Sequence, residues 1–255
     1  MIRIIIHGCN GRMGQIISDI CREDEETEIV AGIDVIEPVN PSYPVFTDIA
    51  KCDVEADVMI DFSTAKAADA VLDYCVEKQL PLVFCTTGLS KEQLEKTDKA
   101  SEKIAILKSA NMSLGINMLF ELLQRAAKVL APAGFDVEIV EKHHNQKLDA
   151  PSGTALALAD AVNGAMDEAY EYKFDRSKER KKRDSNEIGI SSVRGGTIVG
   201  EHEVIFAGKD EVIEIKHTAY SRAVFGKGAV EAAKFLKGKE AGYYDMRKVV
   251  GNSLD

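Results

Sequence analysis

The chain has 255 residues, enough for one large domain or two modest ones with a buried core. A formal net charge of -10 excludes a general role on nucleic acid or anionic membrane surfaces, though a local basic pocket can still hold a small anion. Cys9, Cys21, Cys52, Cys75 and Cys85 are scattered with no C-x-x-C pair. Neither a disulfide framework nor a metal site is expected, and a reducing, cytoplasmic setting fits. The opening MIRIIIHG has no signal-peptide signature, and no apolar run is long enough to span a bilayer.

In chain order, IRIIIHG reads as a buried strand, GRMGQIISDICRED as a helix and EIVAGID as a second strand, together a βαβ unit. ADVMIDFS, LPLVFCTTG and IAILKSANMS continue as strands. The helical patterns AKAADAVLDYCVEKQ and SKEQLEKTDKASEK lie between them. This alternation predicts a mostly parallel sheet covered on both faces. The first turn, GCNGRMG, places Gly8, Gly11 and Gly14 in a G-x-x-G-x-x-G variant of the dinucleotide fingerprint. Glycine there allows a tight turn and close approach of backbone N–H groups to a pyrophosphate at the helix start. Asp34 ends the second strand, where an acid accepts hydrogen bonds from a ribose 2′-hydroxyl. It could also be a simple turn former. Val35, Ile36 and Glu37 follow with no cation to neutralise a 2′-phosphate, so NADH is expected over NADPH. DFST (Asp61 to Thr64), CTTG (Cys85 to Gly88) and SANMS (Ser109 to Ser113) end further strands. They read as either helix caps or a cofactor lining.

Beyond SANMS the pattern changes. LGINMLFELLQRAAKVLA is a long amphipathic helix. FDVEIVEKHH is a strand with Val137, Ile139 and Glu141 on one side and Glu138 and Val140 on the other. Strand-like IGISSVRGG, TIVGEHEVIFAG and DEVIEIKHTAYS, separated by glycine turns, predict a sheet with antiparallel pairs. The expected fold is α/β, with an N-terminal Rossmann-like dinucleotide-binding domain over 1–113 and a C-terminal α+β domain with a mixed sheet over 114–222. Residues 223–255 should pack back on the first domain as a helix and a tail.

The chemistry concentrates in EKHHNQKLDAPSGTALALADA. An imidazole titrates near neutrality and can relay a proton, and an ammonium at Lys147 can neutralise an anion or give a proton. The N–H groups of Gly153 and Thr154 open a helix and can bind a carboxylate. Adjacent histidines rarely chelate one ion, so a metal is not expected. Asp149 reads as a loop-orienting residue, RSKERKKR (176–183) as a solvated helix or loop, and RGG (Arg194 to Gly196) as a candidate for a second substrate carboxylate.

The segments GCNGRMG, DFST, CTTG, SANMSLGIN, EKHHNQKLDAPSGTALALA, SVRGGTIVGEHEVIFAG, SRAVFGKGAVEAAKFL and GYYDM resemble, in order, the 4-hydroxy-tetrahydrodipicolinate reductase (dihydrodipicolinate reductase) family of the diaminopimelate and lysine pathway. The resemblance implies an NAD(P)H-dependent enzyme that reduces a cyclic dicarboxylate to tetrahydrodipicolinate. It implies cofactor contacts at Gly8, Cys9, Asn10, Gly11, Arg12, Met13, Asp34, Cys85, Thr86, Thr87, Ser109, Ala110, Asn111 and Met112. His143 would be the catalytic proton donor or acceptor and Lys147 the proton donor, with His144, Gly153 and Thr154 touching substrate. A homotetramer built through the second domain, with domains that close over the ligands, is also implied. Three departures stand out: Val35 follows Asp34 where members that use NADPH well often have arginine, CTT replaces the frequent GTT, and Met112 replaces an aromatic. Other aspartate-family dehydrogenases and a non-catalytic NAD(H)-responsive binding protein remain as alternatives. The semialdehyde type needs a nucleophilic cysteine, and the binding protein has no need of a His-His-Lys loop.

Overall fold

Ile4, Ile5 and Ile6 are all fully buried, as a strand covered on both faces requires. They belong to β1 (Ile2–His7), an interior strand of a seven-stranded sheet. The computed structural model describes residues 1–36, 42–167 and 170–251. It divides into two compact units, Met1–Leu114 with Arg222–Asp255, and Gly115–Ser221.

The first unit continues with α1 (Arg12–Glu23), β2 (Thr27–Ile33), β3 (Val45–Phe46), β4 (Val58–Asp61), α2 (Ala68–Lys78), β5 (Leu82–Phe84), α3 (Lys91–Ser101) and β6 (Ala105–Leu107). The second contains α4 (Leu114–Leu130), β7 (Asp136–His143), α5 (Gly153–Gly164), β8 (Glu171–Lys173), β9 (Glu187–Arg194), β10 (Gly200–Ala207) and β11 (Val212–Ala219). The chain then returns to the first unit with α6 (Ala223–Leu236), β12 (Gly242–Tyr244) and α7 (Met246–Gly251).

The large sheet runs β12-β6-β5-β4-β1-β2-β3, and every pairing in it is parallel. Ile4 and Ile6 face a core with Ile17 of α1 and Ala229, Val230 and Ala233 of α6. Ile5 faces the opposite core with Val71, Leu72 and Cys75 of α2. One residue of alternation thus sends neighbouring isoleucines to different helix layers. Helix α3 starts at a capping box, in which Ser90 and Gln93 exchange side-chain and backbone hydrogen bonds. The expected C-terminal tail includes a strand: β12 pairs with β6 and completes the sheet. Three residues are too few for a periodic signal, so the sequence reads there as irregular.

The second unit has a mixed sheet in the order β11-β10-β7-β9-β8. Strand β10 is antiparallel to β11 and β7, whereas β7–β9 and β8–β9 are parallel. Burial alternates along β7, with Val137, Ile139, Glu141 and His143 inside. Their face is covered by Ile116, Phe120 and Leu123 of α4 and Leu158 and Val162 of α5.

The basic run at 176–183 is exposed for most of its length, but its end arginines are anchored. Arg176 donates to Glu138 and Glu187. Arg183 donates to Asp136, Glu138 and the Val137 carbonyl. The reading of this run as merely solvated is corrected at those two positions, where carboxylates of β7 and β9 claim the guanidinium groups.

Helix α6 lies against the loop after β6, and a Cβ on Gly228 would sit 1.6 Å from the Met112 carbonyl oxygen. Gly228→Ala should therefore destabilise the protein by about 1–3 kcal/mol through overpacking. Chemical denaturation reads this directly, and parental stability would show that the helix does not press on that carbonyl.

Candidate active site

The turn from β1 to α1 is built on glycine. Gly8 has a φ of +81°, and a Cβ there would lie 2.8 Å from the Phe62 carbonyl oxygen. A Cβ on Gly14 would lie 2.3 Å from the Gly8 carbonyl oxygen. Side chains at either place would push the turn off the helix start. Gly11 is the N-cap of α1 and supplies no side-chain acceptor, so the first N–H groups of that helix suit an anion. Cys9 is buried, its sulfur 2.7 Å from where a Cβ on Gly32 would stand. Arg12 is exposed and Met13 half-buried.

Asp34 follows β2. Its Oδ2 accepts the Asn10 N–H at 2.9 Å and its Oδ1 accepts the Ile36 N–H at 3.2 Å. The Asn10 side-chain amide donates to the Ile36 carbonyl at 2.5 Å, closing the loop around the carboxylate. Each carboxylate oxygen retains acceptor capacity for a ribose hydroxyl. Val35 is 87% exposed and Ile36 65%, while Glu37 lies outside the described residues. The glycine turn, the helix start and the acid together fit a dinucleotide.

The ends of β5 and β6 meet at a cavity of about 360 Å³ lined by Met13, Cys85, Thr87, Ser109, Ala110, Asn111 and Met112. Phe62, Arg222 and Phe225 complete its lining. Phe225 falls on a helical pattern that reads as ordinary core. The Thr86 hydroxyl is turned away, donating to Asp61 at 2.5 Å, and the other oxygen of Asp61 is 2.6 Å from His7 Nδ1. Asp61 is fully buried. Of the DFST segment, therefore, the acid braces the sheet ends. Lys108 donates to the Thr86 carbonyl at 3.0 Å, and burial lowers its pKa. Burial also raises the Cys9 thiol to about 11 and pushes Cys85 well up. Both stay protonated at neutral pH, which disfavours a thiolate nucleophile there.

In the second unit the organising group is Glu141, wholly buried on the core side of β7. Arg194, at the end of β9, donates to both its oxygens at 2.7 Å. His143 Nδ1 is 2.6 Å from Glu141 Oε2, and the Ser152 N–H donates to Oε1 at 3.1 Å. Burial alone would raise the Glu141 carboxyl. Hydrogen bonds from Arg194, Ser192, His143 and Ser152 outweigh it and bring the pKa down to about 2. An ionised Glu141 assigns the His143 proton to Nδ1 and leaves Nε2 as the acceptor. Burial lowers the His143 pKa, partly offset by Glu141, so the ring is neutral at pH 7 and ready to exchange a proton.

His202 packs edge-on against His143, ring centroids 5.2 Å apart. Ser152 caps α5 by accepting the Ala155 N–H at 3.1 Å, and its oxygen lies 3.0 Å from His202 Nε2. Burial depresses His202 to about 4.

His144 is half-buried, one residue past the strand. Its carbonyl accepts the Lys147 N–H at 3.2 Å. Lys147 Nζ lies 2.8 Å from Asp149 Oδ1. The Lys147 amine and the Gly153 N–H both lower the Asp149 pKa. Gly153 opens α5 exposed, and Thr154 follows half-buried. The expectation that Arg194 receives a ligand carboxylate is corrected. Its guanidinium is spent on Glu141 and on the Val193 and Asp149 carbonyls. Glu141 as an anchor, Arg194 as its partner and His202 were not assigned from sequence. The available signal was a carboxylate at a core-facing strand position, two residues before a histidine on the same face.

A parallel sheet with a glycine turn after its first strand and an acid after its second is the architecture of a nicotinamide-dinucleotide oxidoreductase. Residues 2–112 match the family described as dihydrodipicolinate reductase, N-terminus, and residues 115–250 match dihydrodipicolinate reductase, C-terminus. The chain belongs to the dihydrodipicolinate reductase family, whose members are NAD(P)H-dependent oxidoreductases. It is 53% identical over 250 residues, 98% of each chain, to the 4-hydroxy-tetrahydrodipicolinate reductase of Caldanaerobacter subterraneus subsp. tengcongensis. It is 52% identical over 246 residues, 96% of each chain, to that of Clostridium tetani. The dipicolinate-bound dihydrodipicolinate reductase of Paenisporosarcina sp. TG-14 superposes with a TM-score of 0.81 at 26% identity, covering 97% of this chain and 99% of that one.

The buried groups predict the acid response. As pH falls below about 6.5 the unfolded chain protonates its equivalent of His202, while the folded ring resists until about 4. Glu141 stabilises the fold above its ordinary pKa of 4.5 and loses that contribution toward pH 2. Both effects lower stability as pH falls. In the window from 6.5 to 4, His202→Gln should flatten the slope by up to about 1.4 kcal/mol per pH unit. Urea denaturation across that window measures it, and an unchanged slope would mean the ring titrates normally in the folded protein.

Proposed function

We propose that this protein reduces 4-hydroxy-tetrahydrodipicolinate to tetrahydrodipicolinate in lysine and diaminopimelate biosynthesis, with Lys147 and His143 serving the acceptor. The observation that carries this reading is the loop after β7. There a lysine ammonium, a neutral imidazole held by an ionised carboxylate, and a helix start stand within one short segment. The dipicolinate in the solved relative is a flat cyclic dicarboxylate of the same class as the proposed substrate.

The cofactor, when bound, supplies the hydride. Gly8, Cys9, Asn10, Gly11, Arg12 and Met13 would hold the pyrophosphate side, Asp34 the adenosine ribose, and Cys85 to Thr87 with Ser109 to Met112 the nicotinamide side. Thr86 contributes backbone only, since its hydroxyl is engaged by Asp61. Adding hydride to the acceptor and removing its 4-hydroxyl as water consumes one proton overall. Negative charge develops on a ring already carrying two carboxylates. Lys147 stabilises that charge and gives the proton. His143 relays protons through Nε2 while Glu141 fixes Nδ1. His144, Gly153 and Thr154 orient a carboxylate. Such general acid catalysis contributes on the order of a hundredfold to ten-thousandfold.

Several further features support the finer reading. Exposed, uncharged Val35 and Ile36 beyond Asp34 favour NADH over NADPH, because a carboxylate repels a 2′-phosphate. Val140, Val193 and Ile205 lie on the sheet face opposite the helices of the second unit, which supports a homotetramer built there. Five free cysteines fit a reducing cytoplasm. Among the described residues no helix is long and apolar enough to cross a membrane.

Turnover with freshly generated substrate, followed by loss of nicotinamide absorbance, tests the reaction, and no oxidation above a no-substrate control would reject it. Lys147→Ala should lower kcat about a hundredfold or more while NADH affinity barely changes; near-parental turnover would remove Lys147 from the chemistry. Asp34→Ala should weaken NADH binding more than NADPH binding, and equal losses in titrations of the two would reject the ribose role.

A further inference from the structure

We propose that the Asp149 carboxylate pairs with the Lys147 ammonium when no substrate is bound, and that a substrate carboxylate must displace it. This rests on the reading of Lys147 and the start of α5 as the dicarboxylate site. The Asp149 carboxylate lies 2.8 Å from Lys147 Nζ, the ammonium that meets the acceptor in that reading. A side-chain carboxylate has the same charge and the same oxygen geometry as a substrate carboxylate. It satisfies the Lys147 ammonium as an internal mimic of the ligand.

The carboxylate is not what holds the loop. The Asp149 main chain is fixed separately, because Arg194 donates to its carbonyl at 2.7 Å while gripping Glu141. The Lys147 N–H is tied to the His144 carbonyl. Ser152 is anchored by its N–H on Glu141 and by its hydroxyl at the cap of α5. With the backbone pinned on both sides, the Asp149 side chain can turn about its own torsions without moving the loop. It is also 57% exposed, against 21% for Lys147, so water can receive it when it leaves. Asp149 is thus a specificity-determining residue. Its competition sets a threshold that favours ligands with a carboxylate strong enough to replace it, and it keeps the ammonium paired between turnovers.

The test uses the full-length protein saturated with NADH and dipicolinate as the probe, read by calorimetric titration. An exposed ion pair of this kind is worth little, so releasing it should tighten dipicolinate binding by about two- to fivefold in Asp149→Asn. Asp149→Ala should shift in the same direction, and thermal melts confirm that both variants are folded. The gain should vanish when Asp149→Asn is placed in a Lys147→Ala background, because the amine being contested is gone. A loop brace would give the opposite sign. Unchanged or weaker dipicolinate binding in both single variants overturns the proposal. If Lys147→Ala alone binds dipicolinate as tightly as the parent, the assignment of the site fails, and the displacement fails with it.

Discussion

A single buried carboxylate organises the chemistry of the second unit. Glu141 sits where a strand's alternation demands an apolar residue, and an unpaired charge there would be prohibitive. Four donors converge on it: the Arg194 fork, the His143 ring, the Ser152 N–H and the Ser192 side chain. Satisfying one charge therefore joins the ends of β7 and β9, fixes the loop leading to α5 and sets the tautomer of the proposed proton relay. A weaker demand would leave the histidine free to rotate. Low dielectric makes the network both strong and intolerant of a missing member.

The first unit solves a different problem with backbone alone. Its binding edge is made by places where a side chain is absent, at Gly8, Gly11 and Gly14, and by one acid whose oxygens are each held by a main-chain N–H. Asp61 stays inside the sheet, shared by His7 and Thr86. The two acids close to strand ends thus have separate settings, one holding the loop after β2 and one bracing strands.

Much of this was legible from residues. Apolar runs and helical spacing located the main elements, because burying a face imposes a period on the chain. The glycine turn was legible because a positive φ and a close backbone approach leave few residue choices. The alternation in FDVEIVEKHH placed Glu141 with Val137 and Ile139, and the structure shows that it buries a charge there. What could not be read were partners distant in the chain. Arg194 and Glu141 are 53 residues apart, and nothing local in RGG distinguishes a guanidinium reserved for protein from one offered to ligand. The anchoring of Arg176 and Arg183 was hidden for the same reason. Strand β12 escaped because its identity comes from the neighbour it joins rather than from its own three residues.

That last strand has a consequence for biogenesis. The parallel sheet is begun by the first residues of the chain and closed by β12, with the whole second unit inserted between its parts. During translation the strands β1 to β6 emerge before the second unit, yet α6 and β12 emerge only after it, so one flank of the sheet and the helix layer over Ile4 and Ile6 stay open until then. The inserted unit is contiguous in sequence and can consolidate first, so the order of assembly runs against the order of synthesis. Until α6 and β12 arrive, a chain of this topology leaves that apolar flank uncovered.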